Sequence, residues 1–250
     1  MSGGTGVGNS AGFQQRGSGN RVSVGANVEL LGYVNGDNNQ IEIRDTAGAS
    51  KLHLFINGDN NRVFIDRDSE IKGLGICCGN HIRAHNTVIQ IGPEFTIEAG
   101  GRFFLYNSGN RLTIGRECMF SSSITLRCGE SPHLIFDSES GAYLDISEGV
   151  EVGNHVWVGE GVYITKSVSI ADETVVGACS VVTKRFSQTH VALAGNPARV
   201  VREHVQWIRN PGLLQPGSAY HASYHAQAAL FPQPLTGDDP AAMAPPLAAL

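Results

Sequence analysis

Aromatic residues make up only 7% of this 250-residue chain. That is too few for a core built mainly on stacked rings. No apolar run approaches the ~20 residues that a membrane-spanning helix needs. Residues 1 to 18 are rich in Gly and Ser without an apolar centre, so they do not read as a secretory signal. Positive charge is not in excess either. Lys and Arg number 18 against 23 Asp and Glu, a formal net charge of −5. This gives no general attraction to nucleic acid or to an anionic membrane. The five cysteines are odd in number, and Cys77 and Cys78 are adjacent. Such a set reads as a reduced, cytoplasmic protein rather than a disulfide framework.

Glycine, by contrast, is abundant, with 31 residues. It suits a chain with many tight corners. Between the corners stands a regular beat. Ile146, Val152, Val158, Ile164, Ile170, Val176 and Val182 are spaced six apart, and Val150, Val156, Val162, Val168, Thr174 and Ser180 run beside them at the same spacing. A helix repeats its apolar residues three and four apart, and one amphipathic strand repeats them two apart. A period of six with a branched residue in each period predicts a parallel β-helix of hexapeptide repeats. Earlier sets at Ile91, Ile97 and Phe103, and at Ile114, Phe120 and Leu126, keep the spacing with breaks in register. The run Gly36-Asp37-Asn38-Asn39 before one alternating strand returns as Gly58-Asp59-Asn60-Asn61 before another. Three hexads make one triangular coil, and coils stack at the strand spacing of about 4.8 Å.

The organisation follows. Residues 1–20 read as flexible, 21–186 as the all-β helix, 187–210 as a turn and a capping helix, and 211–250 as an extended or disordered Pro/Ala-rich tail. Asn196-Pro197 has the form of a helix cap followed by proline, which places a short C-terminal helix over Ala198 to Arg209. Between Leu126 and Ile146 the spacing of 20 is no multiple of six. A loop over 128–143 therefore leaves the wall, and loops on rigid scaffolds commonly carry function.

That loop holds His133, a side chain able to take a proton from an alcohol near neutral pH. In Val156-Trp157-Val158 the valines face inward, so Trp157 faces out. It marks either a ligand cleft or a subunit contact. Gly177-Ala178-Cys179-Ser180 offers small residues at a corner, where a ligand can approach the backbone closely. Lys184 and Arg185 follow. Arg199 and Arg202, three apart, share one face of the expected helix. Four cations near one end of an acidic chain suit a phosphate-bearing ligand or simply form a solvated basic face.

Three stretches, Gly153-Asn154-His155-Val156-Trp157-Val158-Gly159, Val176 to Lys184, and Ala194-Gly195-Asn196-Pro197-Ala198-Arg199-Val200-Val201-Arg202, resemble the signature of hexapeptide-repeat acyltransferases. The loop Ser131-Pro132-His133-Leu134-Ile135-Phe136-Asp137 is similar to that of bacterial capsule and exopolysaccharide O-acetyltransferases. The resemblance covers residues 110–209 most closely. It implies a left-handed β-helix, a homotrimer, acetyl-CoA in a groove between subunits, and a sugar or polysaccharide acceptor. It implies that His133 is the general base and that Trp157 lines the cleft. Gly159, Ala178 and Ser180 would flank the pantetheine arm, with Lys184, Arg199 and Arg202 at the phosphates or adenosine. Asp137 or Glu130 is a candidate to orient the imidazole, and Cys128 a candidate covalent carrier. Two departures stand out: Cys179 where glycine is common, and Arg185-Phe186-Ser187 where an acidic residue and prolines are common. Two rivals remain at this level. One is a non-catalytic trimeric scaffold. The other is a metal-dependent hydratase using His53, His81 and His85, whose separations fit a shared coil poorly.

Overall fold

The computed structural model describes residues 10–79 and 81–228. The chain divides into two units, Met1–Trp207 and Ile208–Leu250. In the first, three sheets form the walls of a parallel β-solenoid of about eight turns. Wall A is eight-stranded: Phe13–Arg16, Val28–Asn35, Ser50–Asn57, Leu74–Cys78, Gly101–Leu105, Thr125–Arg127, Tyr163–Ile164 and Val181–Val182. Wall B has seven strands: Arg21–Val24, Gln40–Ile43, Arg62–Ile65, Val88–Ile91, Arg111–Ile114, Val150–Val152 and Val168–Ile170. Wall C has seven: Glu70–Ile71, Thr96–Ile97, Met119–Phe120, Trp157–Val158, Val175–Val176, Ala192–Gly195 and Ala198–Arg202. In its later turns the chain visits A, B and C in rotation, and parallel pairing links each strand to the same wall of the next coil.

The hexad rows fill the interior. From Val152 to Val182 every member of the first row is at most 2% exposed, and every member of the second row at most 3%. Burial of each aliphatic side chain is worth roughly 1.5–3 kcal/mol. Ile146 departs from the pattern. It is 68% exposed, because it belongs to the inserted loop and not to a wall. The step between coils there is 38 residues, from Arg116 to Asn154, against 18 from Asn154 to Asp172. The loop accordingly runs beyond residue 143, rejoining wall B only at Val150.

The corners explain the glycines and asparagines. At the corner between walls A and B, Gly36 and Gly58 have φ of 151° and 153°, and Asn38 and Asn60 have φ of 55° and 60°. The next residue of each repeat, Asn39 or Asn61, points inward and is fully buried. These side chains form a ladder. Asn39 donates to Asn20 Oδ1 at 3.0 Å, Asn61 donates to Asn39 Oδ1 at 3.0 Å, and the Thr87 hydroxyl donates to Asn61 Oδ1 at 2.7 Å. Asn61 Nδ2 also reaches the Ala84 carbonyl at 3.0 Å. A buried amide is tolerated here because every polar atom finds a partner in an adjacent coil.

The expectations for the two ends of the solenoid need correction. Phe13–Arg16, inside the segment read as flexible, is a strand paired with Gly32–Asn35, and Phe13 is buried; residues 1–9 lie outside the described residues. The capping helix over Ala198 to Arg209 is absent. Ala198–Arg202 is instead a strand antiparallel to Ala192–Gly195, joined to it by a tight turn at Asn196-Pro197, whose peptide is cis. The last parallel strand offers an open edge, and the β-branched pair Val200-Val201 pairs with it more readily than it enters a helix.

The second unit contains a 3₁₀ turn, Pro211–Leu213, capped by the Asn210 side chain, and the helix Ala219–Ala228. That helix replaces part of the segment read as a structureless tail. Its alanines favour helix, and Ser218 Oγ accepts from His221 N–H at 3.1 Å as an N-cap. The tail beyond residue 228 lies outside the described residues.

The ladder gives a direct test. Asn61→Ala removes the acceptor of the Thr87 N–H and hydroxyl and the side-chain donor to the Ala84 carbonyl, while the Asn39 amide oxygen keeps the backbone N–H of residue 61. A destabilisation of roughly 2–4 kcal/mol is expected. It should be read as a lower urea midpoint with an unchanged slope.

Candidate active site

Loop 129–148 leaves at the A–B corner and folds back on itself. Phe136 and Tyr143 form an antiparallel bridge with rings 5.4 Å apart. The result is a finger whose Leu134, Phe136, Leu144 and Ile146 are all more than half exposed. Its base is clasped by Asp145, a carboxylate with no solvent exposure. Asp145 accepts from Lys166, from the Glu130 N–H at 3.1 Å, from Asn107 Nδ2 at 3.2 Å and from the Tyr143 hydroxyl at 3.3 Å. Burial by itself would raise the Asp145 pKa. The donors of Lys166, Glu130 and Asn107 outweigh it and hold the carboxyl below its ordinary range. Asn107 also accepts from Ser131 N–H at 3.2 Å. Between these anchors His133 projects, exposed, its N–H on the Glu130 carbonyl.

The two groups considered as orienters of the imidazole are engaged elsewhere. Asp137 Oδ1 accepts from the Ser140 N–H and hydroxyl, both at 2.7 Å, and from the Glu139 N–H at 3.1 Å. Those bonds, with Ser140 foremost, lower its pKa. Glu130 pairs with Arg127 at 3.0 Å. Cys128 is buried, and burial pushes its thiol strongly upward, so the thiolate needed of a covalent carrier is suppressed.

Trp157 faces outward from wall C, 37% exposed, in line with Met119, Val175 and Ala192 of neighbouring coils. Its indole lies 6.1 Å from that of Trp207. Trp207, only 5% exposed, stacks on His155 at 4.0 Å with an interplanar angle of 10°, and donates to the His155 carbonyl at 2.9 Å. His155 Nδ1 sits 2.7 Å from Glu173. This His155–Glu173–Trp207 cluster did not emerge from the sequence pattern. The available signal was that Trp207 is one of only two tryptophans in the chain.

At the C–A corner next to Trp157, residues 159–161 and 177–180 stack in successive coils. A Cβ on Gly159 would stand 2.7 Å from the Ala178 nitrogen, so only glycine fits there. Ala178 and Cys179 are exposed. Cys179 has φ of 57°, the left-handed region that explains why glycine is common at this place. Ser180 is fully buried. It donates to the Gly177 carbonyl at 2.7 Å and accepts from Gly195 N–H at 3.1 Å, so its hydroxyl is committed to the wall.

Arg199 and Arg202 do share a face, for a reason other than a helix. A register shift in the hairpin places Arg199 opposite Ala194 and Arg202 opposite Ala192, so both rise from the outer side that carries Trp157. Lys184 does not join them. It sits at the A–B corner beside Arg185, which pairs with Glu148 of the loop, and its ammonium lies 5.3 Å over the Phe186 ring. Among the described residues, Lys184, Arg199 and Arg202 pair with no carboxylate. One chain thus divides the expected site. Trp157, Gly159, Ala178, Arg199 and Arg202 lie on wall C and the C–A corner, whereas His133 and Lys184 belong to the A–B corner. The histidines of the hydratase alternative are scattered: His53 lies beside Phe55 on wall A, His85 is tied to Asp59 at 3.1 Å, and His81 is exposed at a corner.

Solenoid walls, an outward tryptophan beside a corner of small residues, and unpaired cations define a class in which comparison with known proteins is informative. No family model matches the sequence. The chain is 32% identical over 166 residues to the polysialic acid O-acetyltransferase of Escherichia coli O1:K1 / APEC, across 66% of this chain and 51% of that protein. It therefore spans about half the length of that curated relative. Identity to the polysialic acid O-acetyltransferase of Neisseria meningitidis is 28% over 174 residues, 70% of this chain and 77% of that one. The crystal structure of the polysialic acid-specific acetyltransferase NeuO superposes with a TM-score of 0.70 at 31% identity, covering 86% of this chain and 97% of that chain. The chain belongs to the hexapeptide-repeat O-acetyltransferase family.

The clasp yields a pH-dependent expectation. Asp145→Asn removes the buried charge that holds Lys166 and costs about 2–3 kcal/mol, which is roughly 5–10 °C in Tm at pH 7. A carboxyl whose folded pKa is depressed stabilises above its unfolded value near 3.9, and that contribution is lost as pH falls through the folded value. Melting curves of wild type and variant should begin to approach one another near pH 4 and converge only once pH has fallen below the depressed folded value.

Proposed function

We propose that this protein transfers an acetyl group from acetyl-CoA to a hydroxyl of a sugar or polysaccharide, in sites shared between copies of a homotrimer. The observation that carries this reading is the division of the site across the triangular coil. The loop with His133 springs from the A–B corner, and the corner of a triangle lies opposite the third wall, where Trp157 stands. A neighbouring copy that sets its finger beside wall C supplies the missing imidazole. The exposed apolar side chains of the finger favour such a partner.

Bound acetyl-CoA supplies a thioester whose carbonyl is open to attack. The rest of the chemistry falls to this chain. Arg199 and Arg202, free of carboxylates, hold phosphate groups. Gly159 and Ala178 leave the corner low enough for a slender arm to lie along the backbone. Trp157 provides a flat apolar wall that positions the acceptor and keeps water out. His133 takes the proton from the attacking hydroxyl and returns it to the departing thiolate. Lys184, at the A–B corner of the same copy, adds positive charge on the side from which the finger springs. The relatives are named for polysialic acid, so an anionic polysialic acid is the first acceptor to try.

His133→Ala is expected to lower CoA release by about 10²–10⁴-fold while leaving the acetyl-CoA thermal shift intact. His133→Ala and Trp157→Ala, inactive alone, should regain activity when unfolded and refolded together. Random assembly restores about a quarter of shared sites. Full activity in His133→Ala, or no recovery on mixing with both variants folded, would contradict the reading.

A further inference from the structure

The outward side chains of wall B stand in register. Arg21, Gln40, Arg62, Val88 and Arg111 follow one another through five successive coils. Their inward neighbours Ile41, Val63, Ile89 and Leu112 are buried, so strand alternation turns the column out. The three arginines and Gln40 are exposed, and Val88 is half-buried. Arginine thus recurs on every second rung, about 9.6 Å apart at the strand spacing. Among the described residues, none of these three guanidiniums pairs with a carboxylate. The acidic groups close by are answered by other cations: Glu42 pairs with Arg44 at 3.2 Å, and Glu148 pairs with Arg185. In the next outward column, Ser23, Gln90 and Thr113 add neutral hydrogen-bonding side chains.

Two concavities lie on this wall. One of about 420 Å³ is bordered by Arg21, Gln40 and Arg62. The other, of about 340 Å³, is bordered by Arg111, Thr113 and Ser169. The second sits where the finger returns to the solenoid, since Val150 pairs with Leu112 beside Arg111. The column therefore leads along the coils to the base of the loop that carries His133. Guanidinium takes a carboxylate through two parallel hydrogen bonds, and amides and hydroxyls take sugar hydroxyls. The charge on the wall is sparse. A duplex nucleic acid presents one phosphate per roughly 1.7 Å, far denser than this column can answer. A polymer whose carboxylates are separated by neutral, hydroxyl-bearing units matches it better. We infer that wall B is a docking track for an anionic polysaccharide, remote from wall C, which holds an acceptor chain beside the finger. The inference rests on the functional reading above. Several exposed contacts, each weak alone, act together on one long chain because the first raises the local concentration for the next.

The test is anisotropy of labelled polysialic acid with the full chain, run beside acetyl-transfer kinetics and the acetyl-CoA thermal shift. Arg62→Gln and the double variant Arg21→Gln/Arg62→Gln should weaken polymer binding by about tenfold for each arginine removed. KM for the polymer should rise in step, while kcat and the acetyl-CoA shift stay at wild-type values. Melting midpoints equal to that of wild type exclude misfolding. Arg67→Gln, whose guanidinium pairs with Asp68 at 3.0 Å, should bind the polymer as wild type does. Added salt should weaken wild-type binding more than that of the double variant. Unchanged polymer binding in the double variant overturns the track and leaves the functional reading standing. So does a wild type that transfers acetyl groups yet binds neither polysialic acid nor alginate. Single-stranded DNA bound as tightly as polysialic acid at the same salt makes wall B a nucleic-acid surface and overturns the inference. Arginine-dependent polymer binding without acetyl transfer or an acetyl-CoA shift supports the track and removes the functional reading.

Discussion

Rung-by-rung registry is the constraint on which everything else in this protein rests. Each inward side chain lies on its counterpart in the next coil, and each corner hands its backbone hydrogen bonds to the coils above and below. A residue on wall C of one turn is thereby fixed relative to wall C of the next. Val158 supports Val176 in this way, and Trp157, Val175 and Ala192 come into line outside them. The interior is held by many small equal contributions and not by a few large ones. The corner amides of Asn39 and Asn61 extend the same logic to polar groups, because a stack of identical environments lets each amide partner the next.

Registry also imposes a division of labour. A triangular coil has three faces that do not see one another, so residues few steps apart in sequence part company in space. Lys184 and Arg199 illustrate this: one turns out at the A–B corner and the other rises from wall C. A single chain thereby places the finger of His133 and the indole of Trp157 on different parts of the prism.

Two features escape the repeat and are held by individual side chains. The finger is pinned by Asp145, whose buried charge draws Lys166, Asn107 and the Glu130 backbone onto one point. The chain end of the solenoid is fastened by Trp207, wedged against His155 and close to Trp157. Both involve partners tens of residues apart, and both lie beside the residues proposed for chemistry. The repeat makes a rigid frame, and these contacts set the pieces that the frame alone leaves loose.

The sequence by itself determined the solenoid, the inward rows, the outward direction of Trp157 and the existence of an inserted loop. These all follow from local period, and a period of six leaves no other economical way to bury one branched residue per repeat. It also misread Ile146 as part of a wall, because spacing alone does not say when the chain has left the wall. It read Ala198 to Arg209 as a helix from a cap motif, whereas the open edge of Ala192–Gly195 recruited those residues as a strand. Only the tertiary structure decided that Arg199 and Arg202 share a face through a bulge, that Lys184 stands apart, and that Asp145 and Trp207 are anchors. Those outcomes depend on which wall each residue reaches after a whole number of turns, and on partners that meet only once the coils have stacked.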